Sequence, residues 1–182
     1  MEKRLKQCLG IDVSKLSLSL SLGILNQDLV KKFEKHIDVS NDLSGFKKIF
    51  KWLKTIVDIN VDFLIVLEAT GVYHQGVAHY LYEQGFDVSV MQSGRVKRYA
   101  QSLDQRSKTD ALDSKMLSML GLERNIRLWQ PPCETLNELK LLSRERSALL
   151  KDKNVESNRQ EAKDSSSYNN AKADKRFKAR RK

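Results

Sequence analysis

Four acidic residues lie at positions where an ordinary surface carboxylate is not expected. Asp12 and Glu68 each follow a short apolar run, while Asp110 and Asp113 open a helical pattern. Because an unpaired buried charge is costly, acids at the ends of buried strands need a compensating partner. A shared divalent metal would be such a partner, and it would equip the chain for phosphoryl transfer on nucleic acid.

The candidate ligand set is made of carboxylate oxygens alone, which favours Mg²⁺ or Mn²⁺ over Zn²⁺. Four carboxylates at close range repel one another, so a cation would be needed to keep all of them ionised at neutral pH. Two ions about 4 Å apart could activate an attacking oxygen and stabilise the leaving oxygen of a phosphodiester. On the residues alone a plainer alternative stays open. In that alternative Asp110 caps a helix, Asp113 is solvated, and Asp12 and Glu68 mark exposed strand ends.

Strands in the first third of the chain must position Asp12. Residues 7–13 form a short apolar run, and residues 16–22 alternate Leu with Ser, which predicts a half-buried strand. A third strand is predicted over Leu29–Val39. The opening segment is therefore expected to pair antiparallel through two successive hairpins.

Helices must position the second pair of acids. Asp110 and Asp113 are three residues apart, so on a helix they would lean to one side, at the margin of its buried face. An α/β fold with a mixed sheet and flanking helices could bring all four acids to one sheet end. The predicted elements are a helix over 43–57, a strand over 61–67, a helix over 72–84, a strand over 86–91, and two helical pieces within 93–123 that are divided near 104–107.

A connector and a long helix are expected after the sheet domain. Pro131 and Pro132 halt regular structure before residue 134. The charge-rich segment that follows carries a thin leucine stripe, which suits pairing with another helix better than closing a core. The predicted organisation is a sheet domain over 1–124, a linker over 125–133, a long assembly helix over 134–163, and a disordered basic tail over 164–182.

The formal net charge of +10 suggests a polyanionic partner. Seven of the last eleven residues are Lys or Arg, however, so much of the excess lies in the tail and supports nucleic-acid binding only weakly. No uncharged apolar stretch reaches the length of a membrane span, and no apolar signal region opens the chain. The expected location is the cytoplasm.

Three separated blocks resemble, in order, the signature motifs of the IS-one-ten family of insertion-sequence transposases. They are Gly10–Lys15, Leu67–Gly71 and Lys108–Asp113. The resemblance covers roughly residues 7–160. It implies an RNase H-like, RuvC-like domain followed by a coiled-coil-like helix that assembles a homo-oligomer.

The same resemblance implies roles for particular residues. Asp12, Glu68, Asp110 and Asp113 would be the catalytic, metal-binding DEDD tetrad, with Mg²⁺ or Mn²⁺ as cofactor and DNA as substrate. In some members of the family a structured guide RNA selects the DNA. A basic segment that precedes or flanks the last pair of acids resembles one that would face nucleic-acid phosphates, although a solvated helix face would also explain it. Its members are Arg95, Lys97, Arg98, Arg106 and Lys108.

The chain also departs from the family. Members continue into a second domain whose nucleophilic serine forms a covalent link to DNA, and nothing after about Arg159 resembles that domain. Ser165–Ser167 lie in a polar tail without a strand–turn–helix context. The prediction is a truncated transposase that keeps metal and DNA binding but cannot complete recombination. The alternative is a non-catalytic, nucleic-acid-binding remnant that dimerises with an intact transposase.

Overall fold

A computed structural model describes residues 3–34, 36–103 and 109–166, and the chain divides into two compact units between Pro131 and Pro132. The first unit is built on a mixed sheet flanked by helices. The elements in chain order are β1 (Arg4–Val13), β2 (Ser17–Asn26), β3 (Lys31–Phe33), β4 (Ile37–Ser40), α1 (Leu43–Ile56), β5 (Phe63–Glu68), α2 (His74–Glu83), β6 (Val88–Met91), α3 (Ser93–Ser102), α4 (Asp110–Glu123) and α5 (Glu134–Asp164).

The centre of the sheet is β1. It pairs antiparallel with β2 on one side and parallel with β5 on the other, and β6 extends the sheet by pairing parallel with β5. The short strands β3 and β4 both pair antiparallel with β2. The antiparallel pairing of the first strands and the mixed sheet, both predicted from the sequence, are therefore confirmed.

A separate apolar core lies on each face of the sheet. Because side chains alternate along a strand, Leu9 and Ile11 of β1 pack with α1 and α2, whereas Cys8 packs with α3 and α4. The strand β5 divides in the same way, with Ile65 on the first face and Val66 on the second. Coverage of both faces explains why its sequence is almost continuously apolar.

Local signals set the start of α1. The Asp42 carboxylate accepts a hydrogen bond from the Gly45 backbone N–H at 2.9 Å, which is the contact expected of an N-cap. Phe46, Ile49 and Leu53 then recur at helical spacing and are buried against the sheet.

The predicted third strand over Leu29–Val39 is wrong in its extent, because that segment forms two strands, β3 and β4. At the break the ring of His36 lies within hydrogen-bond distance of the Ser19 and Ser21 hydroxyls. The predicted half-burial of the Leu–Ser segment is also wrong. Ser19 and Ser21 are buried like the leucines, because a helix rather than solvent covers their face of the sheet.

The second unit, which begins at Pro132, contains α5. This helix confirms the long helix predicted over 134–163, and none of its residues is buried. Its leucines are exposed, with Leu139 at 61% and Leu142 at 55% of full exposure. In the described ranges, no helix combines the length and apolarity that crossing a membrane requires.

Candidate metal centre

The first pair of acids stands at the ends of adjacent parallel strands. Ile11 of β1 pairs with Leu67 of β5, so Asp12 and Glu68 follow at the same level of the sheet. Strand alternation turns both acids to the face that α3 and α4 cover. The carboxyl ends of two neighbouring parallel strands therefore bring together carboxylates that are far apart in sequence.

The second pair of acids opens α4. Thr109 is the N-cap of this helix, and its hydroxyl accepts a hydrogen bond from the Leu112 backbone N–H at 3.3 Å. Asp110 and Asp113 both lie in the first turn. Thr109 therefore caps α4, so helix capping does not explain why an acid stands at position 110.

Small residues let α4 approach the sheet closely. A Cβ atom added to Gly10 of β1 would come within 1.9 Å of the Ser114 carbonyl oxygen and 2.4 Å of the Ser118 backbone nitrogen. A Cβ atom added to Gly23 of β2 would come within 2.4 Å of the Ser118 hydroxyl. The helix backbone therefore rests almost directly on two strands, and this contact places its first turn beside the end of β1.

Hydrogen bonds fix the helix along the sheet. The buried Ser118 hydroxyl donates to the Cys8 carbonyl at 2.8 Å, and the Ser21 and Ser114 hydroxyls lie 2.9 Å apart. Near the other end, the Lys6 ammonium group donates to the Gly121 carbonyl at 2.7 Å. Rotation or sliding of α4 would break these bonds, so the positions of Asp110 and Asp113 relative to Asp12 are determined by them.

Three other acids lie close enough to Asp12 to act on its charge. Its pKa is raised to about 6, first by removal from water and then by the negative charges of Asp113, Asp110 and Glu68. A backbone hydrogen bond from Val13 opposes the increase. Asp12 thus experiences the other three members of the predicted tetrad directly.

The site is open on one side. Asp12, Glu68 and Asp113 are half-buried, whereas Asp110 is exposed. In the part of the chain that the structure describes, no group of three or more His, Cys, Asp or Glu side chains is arranged so that it could hold a metal ion. An oxygen-only set of mutually repelling carboxylates nevertheless has the chemistry that Mg²⁺ or Mn²⁺ binds, and a cation would relieve the repulsion that raises the pKa of Asp12.

The predicted basic residues divide into three groups. Arg95 and Arg98 are exposed on α3 and line a cavity on that side of the sheet. Lys97 is also exposed on α3 but is not among the residues that line that cavity. Arg106 and Lys108 lie outside the described residues.

Sequence reasoning missed the residues that hold the acids in place. These are the small residues of the helix–sheet contact: Gly10, Gly23, Ser114, Ser118 and Gly121. A signal was available, since Ser114, Ser118 and Gly121 recur at spacings of four and three, the period of one helix face. An apolar periodicity search passes over them because none is strongly hydrophobic.

Comparison with known proteins concerns the family of the chain. A family model described as a transposase, of the DEDD type in IS110 (IS-one-ten) elements, matches residues 9–163. Pilin gene-inverting proteins of Moraxella bovis and Moraxella lacunata are each 29% identical over 146 residues, or 80% of this chain. The chain spans 41% of the length of these curated relatives.

Comparison with solved structures concerns the fold. RuvC of Thermus thermophilus is similar to this chain with a TM-score of 0.50 and 11% sequence identity. The match covers 68% of this chain and 99% of that one. The predicted RuvC-like fold is confirmed by this likeness.

Proposed function

Because this chain belongs to the DEDD transposase family of IS110 elements, we propose that its first unit performs metal-dependent phosphoryl transfer on DNA. Asp12, Glu68, Asp110 and Asp113 would hold Mg²⁺ or Mn²⁺. The observation that supports the proposal is the position of Asp12 and Glu68 at the adjoining ends of β1 and β5, with the charges of Asp113, Asp110 and Glu68 acting on Asp12.

The protein's part in this chemistry is to hold charge in a fixed arrangement. When bound, a pair of divalent ions activates the attacking oxygen and stabilises the leaving oxygen of a phosphodiester. Asp12 and Glu68 are held by the paired strands β1 and β5, and Asp110 and Asp113 by a helix bonded to β1. The exposure of Asp110 leaves the site accessible to a DNA strand.

The proposal includes partners. Arg95, Lys97 and Arg98, together with Arg106 and Lys108, would contact DNA phosphates. Some members of the family that the chain resembles also use a guide RNA, which would then be a second nucleic-acid partner. The exposed leucine stripe of α5 would pair with a second copy of the chain, since leucines at helical spacing bury their surface in a coiled coil.

One observation favours a second candidate function, nucleic-acid binding without cleavage. Among the described residues the acids are not closed into a metal cage. A chain of this kind would retain nucleic acid with a steep salt dependence but would be indifferent to divalent metal.

Thermal unfolding with and without metal separates the two candidates. A ligand that binds only the folded state stabilises it by about 2.7 kcal/mol at 100 times its Kd. We expect Mg²⁺ and Mn²⁺ to raise the melting temperature above that in EDTA, and Asp12→Asn and Asp113→Asn each to abolish the increase. A wild-type melting curve that ignores both metals would overturn the metal assignment.

Asp62→Asn is the matched control. Asp62 precedes β5 at its amino end, on the strand that carries Glu68 at its carboxyl end, and it is exposed. The substitution makes the same change in charge and size as Asp12→Asn. We expect this variant to keep the full metal response, with each variant compared with its own metal-free curve.

A further inference from the structure

A groove lined by four arginines runs along the α3–α4 side of the first unit. It consists of two adjoining cavities of about 470 and 670 Å³ that share Met91, Arg95, Ile126 and Arg127. Arg98 and Arg124 line the larger one. Two of the arginines belong to α3, and the other two lie at the end of α4 and in the connector that follows it.

Of the described acidic groups, Glu123 acts electrostatically on Arg124, but no carboxylate lines the arginine groove itself. None of the lining residues of either cavity is Asp or Glu. Across the described ranges, none of the four guanidinium groups forms a salt bridge within 4 Å. Glu123, which precedes Arg124, instead forms a salt bridge with Lys31 and accepts a hydrogen bond from the Tyr99 hydroxyl at 2.7 Å.

The backbone that carries the connector arginine is held against the sheet. The Ser89 hydroxyl of β6 donates to the Arg127 carbonyl at 3.0 Å, and the Trp129 N–H donates to the Val88 carbonyl at 2.7 Å. The Trp129 ring packs edge-on against His79, with 5.0 Å between centroids. Arg127 therefore sits on a fixed segment rather than on a free loop.

The remaining arginines are also placed by fixed backbone. Arg124 is the C-cap of α4, with its N–H bonded to the Leu120 carbonyl at 3.0 Å. Arg98 donates through Nε to the Gly94 carbonyl at 3.2 Å, which leaves both terminal nitrogens of its guanidinium for another acceptor. Guanidinium groups held in this way suit phosphate oxygens, which they can bind through two parallel hydrogen bonds.

The groove begins beside the acidic site. Met91, at the carboxyl end of β6 and in the lining of both cavities, pairs in register with Glu68 of β5. Arg124, at the other end of α4, lies 14 residues from Asp110, about 21 Å along the helix axis, so a strand whose phosphodiester lay at the carboxylates would extend that far to reach it.

We propose that Arg95, Arg98, Arg124 and Arg127 form a phosphate-binding track that holds the backbone of the DNA strand beside the acidic site. The assignment of DNA as the ligand rests on the proposed function, whereas the track itself rests on the geometry and charge of the groove. Arg124 and Arg127 are its distinguishing members, because they lie outside the basic segment that the family resemblance indicated.

The salt dependence of DNA binding tests the track. The probe is a 30-base-pair duplex of arbitrary sequence, titrated in EDTA so that no metal ion joins DNA to the carboxylates. Each phosphate contact that is lost lowers the slope of log K against log salt by about 0.9. We expect Arg124→Gln with Arg127→Gln to lower the slope by about 1.8. Arg124→Lys with Arg127→Lys should retain most of the wild-type slope, because the positive charges remain.

Lys47→Gln with Lys48→Gln provides the matched control. Both lysines are exposed on α1, which packs against the opposite face of the sheet, and the pair removes the same charge. We expect this variant to keep the wild-type slope. The phosphate track would be overturned if the arginine and lysine double variants lost the same amount of slope, or if neither lost any.

Two further measurements distinguish a failure of the phosphate track from a failure of the proposed function. The first uses an RNA duplex of the same length. If the arginine variant lowers the salt slope for RNA binding but not for DNA binding, the assignment of DNA as the ligand is overturned. If the arginine variant loses slope as expected but metal does not raise the melting temperature, the metal proposal is refuted and the phosphate track stands. If metal raises the melting temperature but the arginine variant keeps its slope, the track is refuted and the metal proposal stands.

Discussion

Asp12 is the residue whose ionisation depends most clearly on the rest of the site. It is half-buried at the end of β1, and three other carboxylates act on it. In the metal-free protein its negative charge opposes folding, because the charge is partly desolvated and is repelled by its neighbours. The arrangement that suits a cation therefore carries a cost in stability when no cation is present.

The pH dependence of unfolding reveals that cost. The pKa of Asp12 rises from 3.8 to about 6 on folding, so between these values the folded state holds a proton that the unfolded state has released. The contribution of Asp12 to the free energy of unfolding is then greatest below pH 4, falls as pH rises through this window, and is flat above it. With allowance for solvent screening at a half-exposed group, the loss is on the order of 1 kcal/mol.

Urea unfolding in EDTA at pH 4, 5, 6 and 7 measures this loss. We expect Asp12→Asn to be more stable than wild type at pH 7, and the difference between the two to shrink towards pH 4. Asp62→Asn is the control for the loss of one carboxylate. A wild-type protein that gained stability relative to Asp12→Asn between pH 4 and pH 6 would contradict the raised pKa.

At the scale of elements, the contact between α4 and the sheet decides whether the acids meet. Gly121 of α4 packs closely against Cys8 of β1. A Cβ atom added to it would lie 2.2 Å from the Cys8 sulfur and 2.8 Å from a Val66 methyl group. We expect Gly121→Ala to lower the free energy of unfolding by about 1–3 kcal/mol through overpacking, as measured by chemical denaturation. It should also weaken the metal response, because α4 carries two of the acids.

Gly94→Ala is the control for that substitution. Gly94 is also helical, but an added Cβ there would meet no atom within 4 Å. Its expected effect is neutral to stabilising by up to about 1 kcal/mol, from helix propensity alone. Placing Gly121→Ala in a Cys8→Ala background should reduce the loss, since the closest obstructing atom is then absent; full additivity of the two changes would count against the contact.

The sequence was sufficient to predict the sheet, the long helix and the strand-end positions of Asp12 and Glu68, because apolar periodicity and strand ends are local signals. It was not sufficient to predict how α4 docks. Ser114, Ser118 and Gly121 look polar or neutral in sequence, and their effect arises only when they meet Gly10 and Gly23 from distant strands. His36, which precedes β4, contacts the Ser19 hydroxyl of β2, a tertiary contact that local sequence patterns do not predict.

At the scale of the whole molecule, the two units have separable proposed tasks. All four acids and the arginine groove lie before Pro132, whereas α5 lies after it. The predicted domain boundaries imply that the first unit is sufficient for metal binding and the second for assembly.

Removal of the second unit tests this division. We expect a chain ending at Pro131 to keep the rise in melting temperature with Mg²⁺ but to sediment as a monomer. In the full chain, Leu139→Glu with Leu142→Glu should lower the sedimenting mass in the same way, because charges would replace the exposed apolar stripe. Lys140→Glu is the matched control and should leave the mass unchanged. A full-length wild-type protein that is already monomeric would contradict the assembly role of α5.

The hydrogen bond between Ser118 and Cys8 joins residues 110 positions apart. The ribosome releases Asp12 and Glu68 long before it releases α4, so a nascent chain carries half of its acids with nothing opposite them. The full set of carboxylates exists only after α4 has left the exit tunnel and docked on β1. A chain that is still being made, or one that stops before α4, therefore lacks half of its acidic residues.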